Sequence, residues 1–340
     1  YHIAFERNFM DTYIVLDLEW NQSPDGKEGT IAGIPFEIIE IGAVKLDEEF
    51  NIIGEFHRMI RPTVYNKIHF KVYEVIHMEI EELRQQGEPF AQVIQEFWDW
   101  VYCSGERPHF CTWGSMDLTE LQRNIEYYGV KNNFSSPLFY YDIQKLYTLL
   151  YHCDDKNKPP LDKAVEEMSL NEDRGFHHAL DDAYYTSKVM QTMDFQKIRE
   201  YVSLDYYHTP KTREEEIYLV FPDYAKYVSR EFPSKEEAIA DKTVADMLCY
   251  RCNRMLRKRI RWFSANQRNY YGLALCPEHG FVRGKIRMKS NGENFFVVKT
   301  MKIVGKEKAQ ELYEKREDTR KKRSERNRLK RLREKVKGKR

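Results

Sequence analysis

Short apolar runs alternate with longer segments of helical period over the first 195 residues of this 340-residue chain. The runs predict strands, because turn residues bound them and β-branched and aromatic side chains fill them. The longer segments predict helices; in one, Val93, Phe97 and Trp100 fall at the i, i+4, i+7 spacing of a helix face. This order predicts an α/β fold, a mixed sheet flanked by helices. The predicted strands are residues 13–20, 36–46, 52–60, 109–113 and 138–143, and the predicted helices are residues 67–83, 89–102, 117–128, 161–168 and 179–193.

A different pattern begins at Cys249, where short strands mix aromatic with basic residues. Strands are predicted at residues 260–263, 270–275, 281–288 and 295–303, with Ser-Asn-Gly-Glu at residues 290–293 as a hairpin turn. The pattern divides the chain into an α/β domain at residues 11–195, a connecting segment at 196–243, a small β-rich domain at 244–304 and a basic tail, helical or disordered, at 305–340.

Charge is distributed unevenly along the chain. Residues 306–340 contain 17 Lys and Arg against 7 Asp and Glu, whereas the residues before them contain 38 against 47. This asymmetry predicts a basic arm for a polyanion. No apolar run approaches the ~20 residues of a membrane span, and residues 1–11 lack the apolar stretch of a secretion signal. We therefore expect no membrane partner and a cytoplasmic location.

Two carboxylates stand at the end of the first predicted strand. Asp17 and Glu19 are two residues apart, so their side chains point to the same face. Crowded carboxylates at the edge of a core repel each other and lose hydration. A divalent cation between them removes both penalties, and hard cations such as Mg²⁺ prefer oxygen ligands. The pair alone fits either a metal site or two solvated acids.

Three later residues favour the metal site. Asp117 opens a predicted helix directly after a strand, Asp182 lies early in another helix, and His177 precedes Asp182 by five residues. Side chains at strand ends and helix starts can converge on one edge of a sheet. Four acids and a histidine match two-metal phosphodiester hydrolysis, in which cations flank the reacting phosphate and a histidine takes the proton of the attacking water.

These motifs resemble those of the DEDDh 3′→5′ exonucleases. Asp-x-Glu, the stretch FEIIEIGAV at residues 36–44, Trp-Gly-x-x-Asp ending at Asp117, and His-x4-Asp-Ala starting at His177 occur in that family's order. The match covers residues 13–193 and is most similar to enhanced-RNAi-type exoribonucleases and KapD-like exonucleases. The resemblance implies an RNase H-like fold and removal of nucleoside 5′-monophosphates from single-stranded 3′ ends, with RNA preferred.

The resemblance also implies roles for individual residues. It implies that Asp17, Glu19 and Asp182 bind the first of two Mg²⁺ or Mn²⁺ ions, that Asp17 bridges to the second, and that Asp117 completes the site. His177 is the implied general base, with His178 as the alternative. Leu18, Trp20 and His77 are candidates for contact with the terminal nucleotide, and Trp20 also fits a core position. Asn21 and Met78 depart from the family's Thr and Gly, which leaves the nucleotide pocket less defined than the metal site.

Two other functions fit the same residues. The same enzyme can act on DNA, for repair or proofreading, because no residue here identifies recognition of a 2′-hydroxyl. A non-catalytic nucleic-acid-binding protein can retain the fold, but the complete set of acids argues against it.

A second metal site is predicted near the C-terminus. Cys249, Cys252, Cys276 and His279 form the pattern C-x2-C-x23-C-x2-H, which is typical of a structural zinc site in a small β-rich segment. Buried cysteines with an incidental histidine are the alternative. Cys103, Cys111 and Cys153 are predicted core or near-core thiols, consistent with a reducing compartment.

The span between the zinc ligands is rich in cations and aromatic rings. Arg257, Arg259, Arg261 and Trp262 are candidates for nucleic-acid contact, because cations meet phosphates and rings stack on unpaired bases. Solvated arginines around aromatic packing are the alternative. For the basic tail we expect a salt-sensitive, non-specific anchor for phosphates.

Overall fold

The computed structural model describes residues 9–103, 105–152, 158–266 and 268–337. The chain divides into two compact units, with the boundary in the sequence between His208 and Thr209. This boundary corrects the predicted connecting segment at residues 196–243. Its first part belongs to the first unit and its second part to the second. Cys153 and the last three residues of the predicted tail lie outside the described residues.

The first unit is built on a six-stranded mixed sheet of order β3-β2-β1-β4-β5-β6. Strand β1 lies inside it, antiparallel to β2 and parallel to β4. The strands are β1 Met10–Gln22, β2 Phe36–Leu46, β3 Ile52–Met59, β4 Glu106–Thr112, β5 Phe139–Asp142 and β6 Ser203–Leu204. The helices are α1 Phe70–Ile76, α2 Ile80–Gln86, α3 Phe90–Val101, α4 Asp117–Tyr127, α5 Ile143–Tyr151, α6 Leu161–Glu167 and α7 Ala179–Thr192.

Both faces of this sheet are covered, which confirms the predicted α/β fold. Along β1, Ile14, Leu16 and Leu18 pack with α3 and α4 on one face, while Val15 packs with α5 to α7 on the other. The predicted helix at 67–83 is two helices, because His77 takes the left-handed conformation with φ 51° and ends α1.

The second unit is built on an antiparallel six-stranded sheet of order β7-β8-β12-β11-β10-β9. Its elements are β7 Ile217–Val220, β8 Tyr224–Val228, α8 Lys235–Ala240, α9 Lys242–Ala245, β9 Lys258–Asn266, β10 Asn269–Cys276, β11 Gly280–Asn291, β12 Asn294–Val304 and α10 Lys306–Lys337. The predicted β-rich character is confirmed, and the sheet also takes in β7 and β8, which lie before the predicted domain.

The basic tail is helical over its described part. The first turns of α10 belong to the second unit, since Ala309 and Leu312 are buried against Ile260 and Leu273. Residues 320–329 are exposed to solvent. Of the helices that the structure describes, none combines the length and the apolar character needed to cross a membrane.

Candidate active site

The acidic cluster begins where β1 extends beyond its parallel neighbour. The β1–β4 pairing ends at Val15 and Cys111, so the next residues of β1 run past the last residues of β4. Asp17 and Glu19 occupy this extension on the face that Val15 shares with α7, and both are half-buried. The structure therefore places the two carboxylates on one face of the sheet, as predicted.

Asp117 reaches the same edge from α4. The chain turns after β4 through Gly114, whose φ of 118° a residue with a side chain rarely adopts, and α4 starts three residues later. Asp205 fixes the helix by accepting hydrogen bonds from Thr119 Oγ1 at 2.6 Å and Gln122 Nε2 at 2.8 Å. Asp117 is only 6% exposed, at the open end of the sheet.

Asp182 is delivered by the first turn of α7, which crosses the sheet at Gly42. This glycine lies opposite Asp17 in the β1–β2 ladder. A Cβ at Gly42 would stand 2.1 Å from Leu180 N and 2.2 Å from Ala179 C, so only glycine lets the helix backbone approach this closely. Gly42 therefore sets the position of Asp182, a role that the sequence analysis missed although a glycine inside a predicted strand was its signal.

The two candidate histidines lie at the start of α7 and are exposed. His177 has φ 71°, and its backbone N–H donates to Asp182 Oδ1 at 3.3 Å. Burial raises the pKa of Asp182, and the backbone N–H and charge of His177 oppose that rise, so this residue borders the acidic cluster. His178 instead has its Nδ1 3.6 Å from Glu40 Oε2.

The carboxylates are crowded enough to retain protons near neutral pH. Burial raises the pKa of Asp17 well above its usual range, and the charges of Asp117 and Asp182 raise it further. Burial, with the neighbouring Glu40, raises the pKa of Glu19 to about 8. Burial also raises the pKa of Asp117 to about 7, against hydrogen bonds from backbone N–H groups that lower it. Keeping these groups ionised together requires a compensating positive charge.

The donor set fits a hard cation. Asp17, Glu19 and Asp182 each offer a carboxylate oxygen, and these oxygens lie within 4.8 Å of one another. All three donors are oxygens, the ligand type of Mg²⁺ and Mn²⁺. Asp117 stands beside this group of three, close enough for its charge to raise the pKa of Asp17.

Glu40 is a further buried carboxylate at the cluster. It lies opposite Glu19 in the β1–β2 ladder and is 2% exposed. His57 Nε2 is 2.8 Å from Glu40 Oε1, and this hydrogen bond raises the pKa of His57. Glu40 thus links the acidic cluster to His57 and His178. Sequence reasoning missed it, because its position depends on cross-strand register.

The candidate nucleotide contacts separate into two classes. Leu18 is 4% exposed and packs in the core with α3 and α4, which corrects the expectation that its side chain contacts the nucleotide. Trp20 is half-buried and packs on Phe36 with ring centroids 5.7 Å apart, in agreement with the core alternative. His77 is exposed at the end of α1.

The second candidate centre lies in the second unit. Cys249, Cys252, Cys276 and His279 bring their ligand atoms within 4.8 Å of one another. The Cys252 and Cys276 sulfurs are 3.7 Å apart, and His279 Nδ1 is 3.6 Å from the sulfurs of Cys249 and Cys276. A tetrahedral zinc with Zn–S of about 2.3 Å and Zn–N of about 2.0–2.1 Å has S···S edges of about 3.8 Å and S···N edges of about 3.6 Å. The four side chains therefore have the geometry of a closed tetrahedral site.

Trp262 is half-buried and packs against the core of this unit, and its predicted role in nucleic-acid contact stays a prediction. A bulge in the β9–β10 pairing turns its ring towards Met247, and its Nε1 donates to Ala245 O at 2.6 Å. Gly272 and Gly284 face each other on β10 and β11, and a Cβ at Gly284 would stand 2.3 Å from Trp262 Cη2. The paired glycines thus form the slot for the indole. The three arginines predicted alongside Trp262, at positions 257, 259 and 261, are exposed.

One family model and several solved structures are similar to part of this chain. A family model described as an exonuclease matches residues 14–190. No curated protein matches the chain. A full-length 3′-exonuclease is 19% identical, with a TM-score of 0.46, over 57% of this chain and 63% of its own length. The nuclease domain of a DEDDh family member bound to rAMP is 18% identical, with a TM-score of 0.46, over 59% and 98%. E. coli exonuclease I in complex with a dT13 oligonucleotide is 15% identical, with a TM-score of 0.46, over 77% and 55%. The chain thus spans less than two thirds of two of these three proteins.

Proposed function

The chain belongs to the exonuclease family whose model spans residues 14–190, and on that premise we propose that it is a metal-dependent 3′→5′ exonuclease of single-stranded nucleic acid that prefers RNA. The observation that carries the proposal is the cluster of Asp17, Glu19 and Asp182, with oxygens within 4.8 Å, beside Asp117. In a protein without catalytic activity, nothing would offset the charge repulsion and lost hydration of these crowded carboxylates.

Each acid has a role in this proposal. Asp17, Glu19 and Asp182 would hold one divalent cation, Asp17 would also serve a second, and Asp117 would contribute through water. When bound, such ions supply Lewis-acid stabilisation for charge on the phosphate oxygens. His177 takes the proton from the attacking water, because its ring borders the cluster and its exposed position admits solvent. The product is a nucleoside 5′-monophosphate.

The test pairs RNA and DNA single strands of one sequence, each labelled at the 5′ end, with Mn²⁺. We expect successive shortening from the 3′ end, faster for RNA, and loss of at least 100-fold in rate for Asp182→Asn, about the least that removal of an essential catalytic group costs. His177→Ala should lose far more rate than His178→Ala. Faster digestion of DNA would transfer the assignment to the DNA alternative. Unchanged digestion by Asp182→Asn would refute the site.

We also propose that the cysteine–histidine centre holds one structural Zn²⁺. All four ligands come from the chain, which leaves no open position for catalysis. Its sulfur ligands and the buried thiol of Cys111 suit a reducing compartment, so the proposal includes a cytoplasmic location. One zinc per chain by metal analysis, together with loss of the second unit's fold on strong chelation, is the expected result. Absence of zinc from the folded protein would contradict it.

For the far part of α10 we propose a non-specific phosphate anchor, supported by its exposed cations. A truncation at Gly305 cannot test this, because it removes Ala309 and Leu312 from the core of the second unit. A truncation after Arg320 keeps those contacts. It should weaken binding of single strands and reduce the salt dependence. The exposed arginines at positions 257, 259 and 261 are proposed to add long-range attraction only.

A further inference from the structure

The two units of the chain carry opposite charge. Residues 1–208 hold 19 Lys and Arg against 36 Asp and Glu, whereas residues 209–340 hold 36 against 18. A polyanionic strand is therefore repelled by the unit that contains the acidic cluster and attracted by the other. The attraction is strongest where cations stand together without acids between them.

Strand β11 presents such a row. Arg283, Lys285 and Arg287 alternate with the buried residues of the opposite face, so their side chains share one face of the sheet. Successive members are about 7 Å apart along the strand, twice the rise of about 3.4 Å per residue. Within the part of the chain that the structure describes, the side chains of these three residues have no ion-pair or hydrogen-bond partner.

The positions directly opposite this row on β10 and β12 are not acidic, although one of them, Lys302, pairs with Asp223, and the first turns of α10 pack on the same face over Leu273. Residues directly opposite each other in antiparallel strands lie on the same face. The six positions opposite the row on β10 and β12 are Leu273, Tyr271, Asn269, Lys302, Thr300 and Val298. Lys315 of α10 adds a further cation, since its Nζ lies 3.8 Å from the centre of the Tyr271 ring.

The row ends in a cavity of about 590 Å³ beside the β11–β12 hairpin. Four of the eight residues that line it are cations, namely Lys235, Arg268, Arg287 and Lys289, and the other four are uncharged. Arg287 belongs to both the row and the cavity, so the two form one continuous positive surface. Its chemistry fits phosphate groups, which accept hydrogen bonds and carry negative charge.

We propose that the row of Arg283, Lys285 and Arg287, with its cavity, binds the phosphate backbone of a single-stranded nucleic acid and holds it while the 3′ end is hydrolysed. This proposal rests on the proposed function. A single strand fits because it can extend along a flat row of side chains and place successive phosphates on successive cations. The two backbones of a duplex wind around a common axis, so either one leaves such a row after a short contact.

The test measures binding of a labelled oligouridylate at several salt concentrations, with Asp17→Asn present throughout to prevent digestion. In the row variant, Arg283→Gln, Lys285→Gln and Arg287→Gln are combined. Each phosphate contact of a single strand contributes about 0.7 to the salt slope, so the slope should fall by about 2 and the affinity by about hundredfold near 0.1 M salt.

A matched control removes the same charge from the edge of the same sheet. Combining Arg257→Gln, Arg259→Gln and Arg261→Gln should leave the slope unchanged, with a loss of affinity below about threefold, because only long-range attraction is reduced. A second control combines Arg283→Lys, Lys285→Arg and Arg287→Lys. This variant keeps the three positive charges, so its salt slope should equal that of the wild type. Circular dichroism establishes that each variant is folded.

Several results would overturn the proposal. They are a row variant that binds as tightly as its parent, an edge variant that loses as much affinity, and row-dependent binding of phosphatidylserine vesicles without binding of the oligonucleotide. The proposed function fails separately. If the wild type degrades RNA but the row variant binds normally, the row is refuted and the exonuclease stands. If the wild type degrades nothing but its binding of the oligonucleotide depends on the row, the row is supported as a binding surface and the proposed exonuclease activity is refuted.

Discussion

Replacing Glu19 with Gln should stabilise the metal-free protein at pH 8 and leave its stability at pH 5 almost unchanged. Burial and the neighbouring Glu40 raise the pKa of Glu19 from 4.5 to about 8. Between these values the native state holds a proton that the unfolded state has released. The unfolded state therefore binds fewer protons, and stability falls as pH rises through this window. Glutamine does not ionise, so the stability of the variant does not fall in this way as the pH rises.

The size of the effect follows from the shift. About 1.36 kcal/mol per pH unit sets an upper limit of about 4–5 kcal/mol. Glu19 keeps partial contact with solvent, which screens its charge. We therefore expect about 2 kcal/mol, or about 4–8 °C in melting temperature for a unit of this size.

The assay is thermal unfolding of the first unit between pH 5 and 8, in protein prepared without added Mg²⁺ or Mn²⁺. Saturating Mn²⁺ should raise the melting temperature of the wild type at pH 8 more than that of Glu19→Gln, because the variant has lost a ligand. The control is Glu28→Gln at an exposed position outside the cluster, where no change in pH dependence is expected. Equal pH slopes for wild type and Glu19→Gln, or a less stable variant at pH 8, would show that Glu19 does not hold a proton in the native state over this pH range.

Three further substitutions test the packing and the second centre. Gly42→Ala places a Cβ 2.1 Å from the backbone of α7. We expect a rate loss of about 100-fold, because the substitution displaces the acids of the cluster. The control is Gly54→Ala on β3, whose Cβ meets only ordinary contacts and which should retain activity. Gly284→Ala collides with the Trp262 ring and should destabilise the second unit by about 1–3 kcal/mol in a denaturant titration. Cys252→Ser removes one of four ligands and should lower the zinc content of purified protein to well below one per chain, while full zinc retention would show that this sulfur is not a ligand.

Most of the acidic cluster could be predicted from the sequence, because each acid lies at a position that a local pattern identifies. Asp17 and Glu19 end an apolar run, and Asp117 and Asp182 begin helices, so strand and helix signals alone brought them to one edge. No local pattern identifies Glu40, which lies inside a predicted strand. Its importance comes from standing opposite Glu19, and register between strands is a tertiary property that no local pattern gives.

The second unit was less predictable for a related reason. Trp262 lies among arginines in a predicted strand, which favoured an exposed stacking ring. The bulge that turns it inward, and the paired Gly272 and Gly284 that receive it, involve three strands. The cations that stand together likewise come from β11, not from the arginine-rich segment that includes β9, since alternation along β11 gathers residues that are separated in sequence.

The proposed 3′→5′ exonuclease activity can be tested by the direction and product of hydrolysis. A single-stranded RNA labelled at its 3′-terminal nucleotide is incubated with wild-type protein and Mn²⁺, beside Asp17→Asn and an RNA whose 3′ end carries a bulky block. We expect the label to appear first as a nucleoside 5′-monophosphate, Asp17→Asn to release none, and the block to prevent release. Labelled internal fragments as first products, equal digestion of the blocked strand, or full activity of Asp17→Asn would contradict the proposed activity.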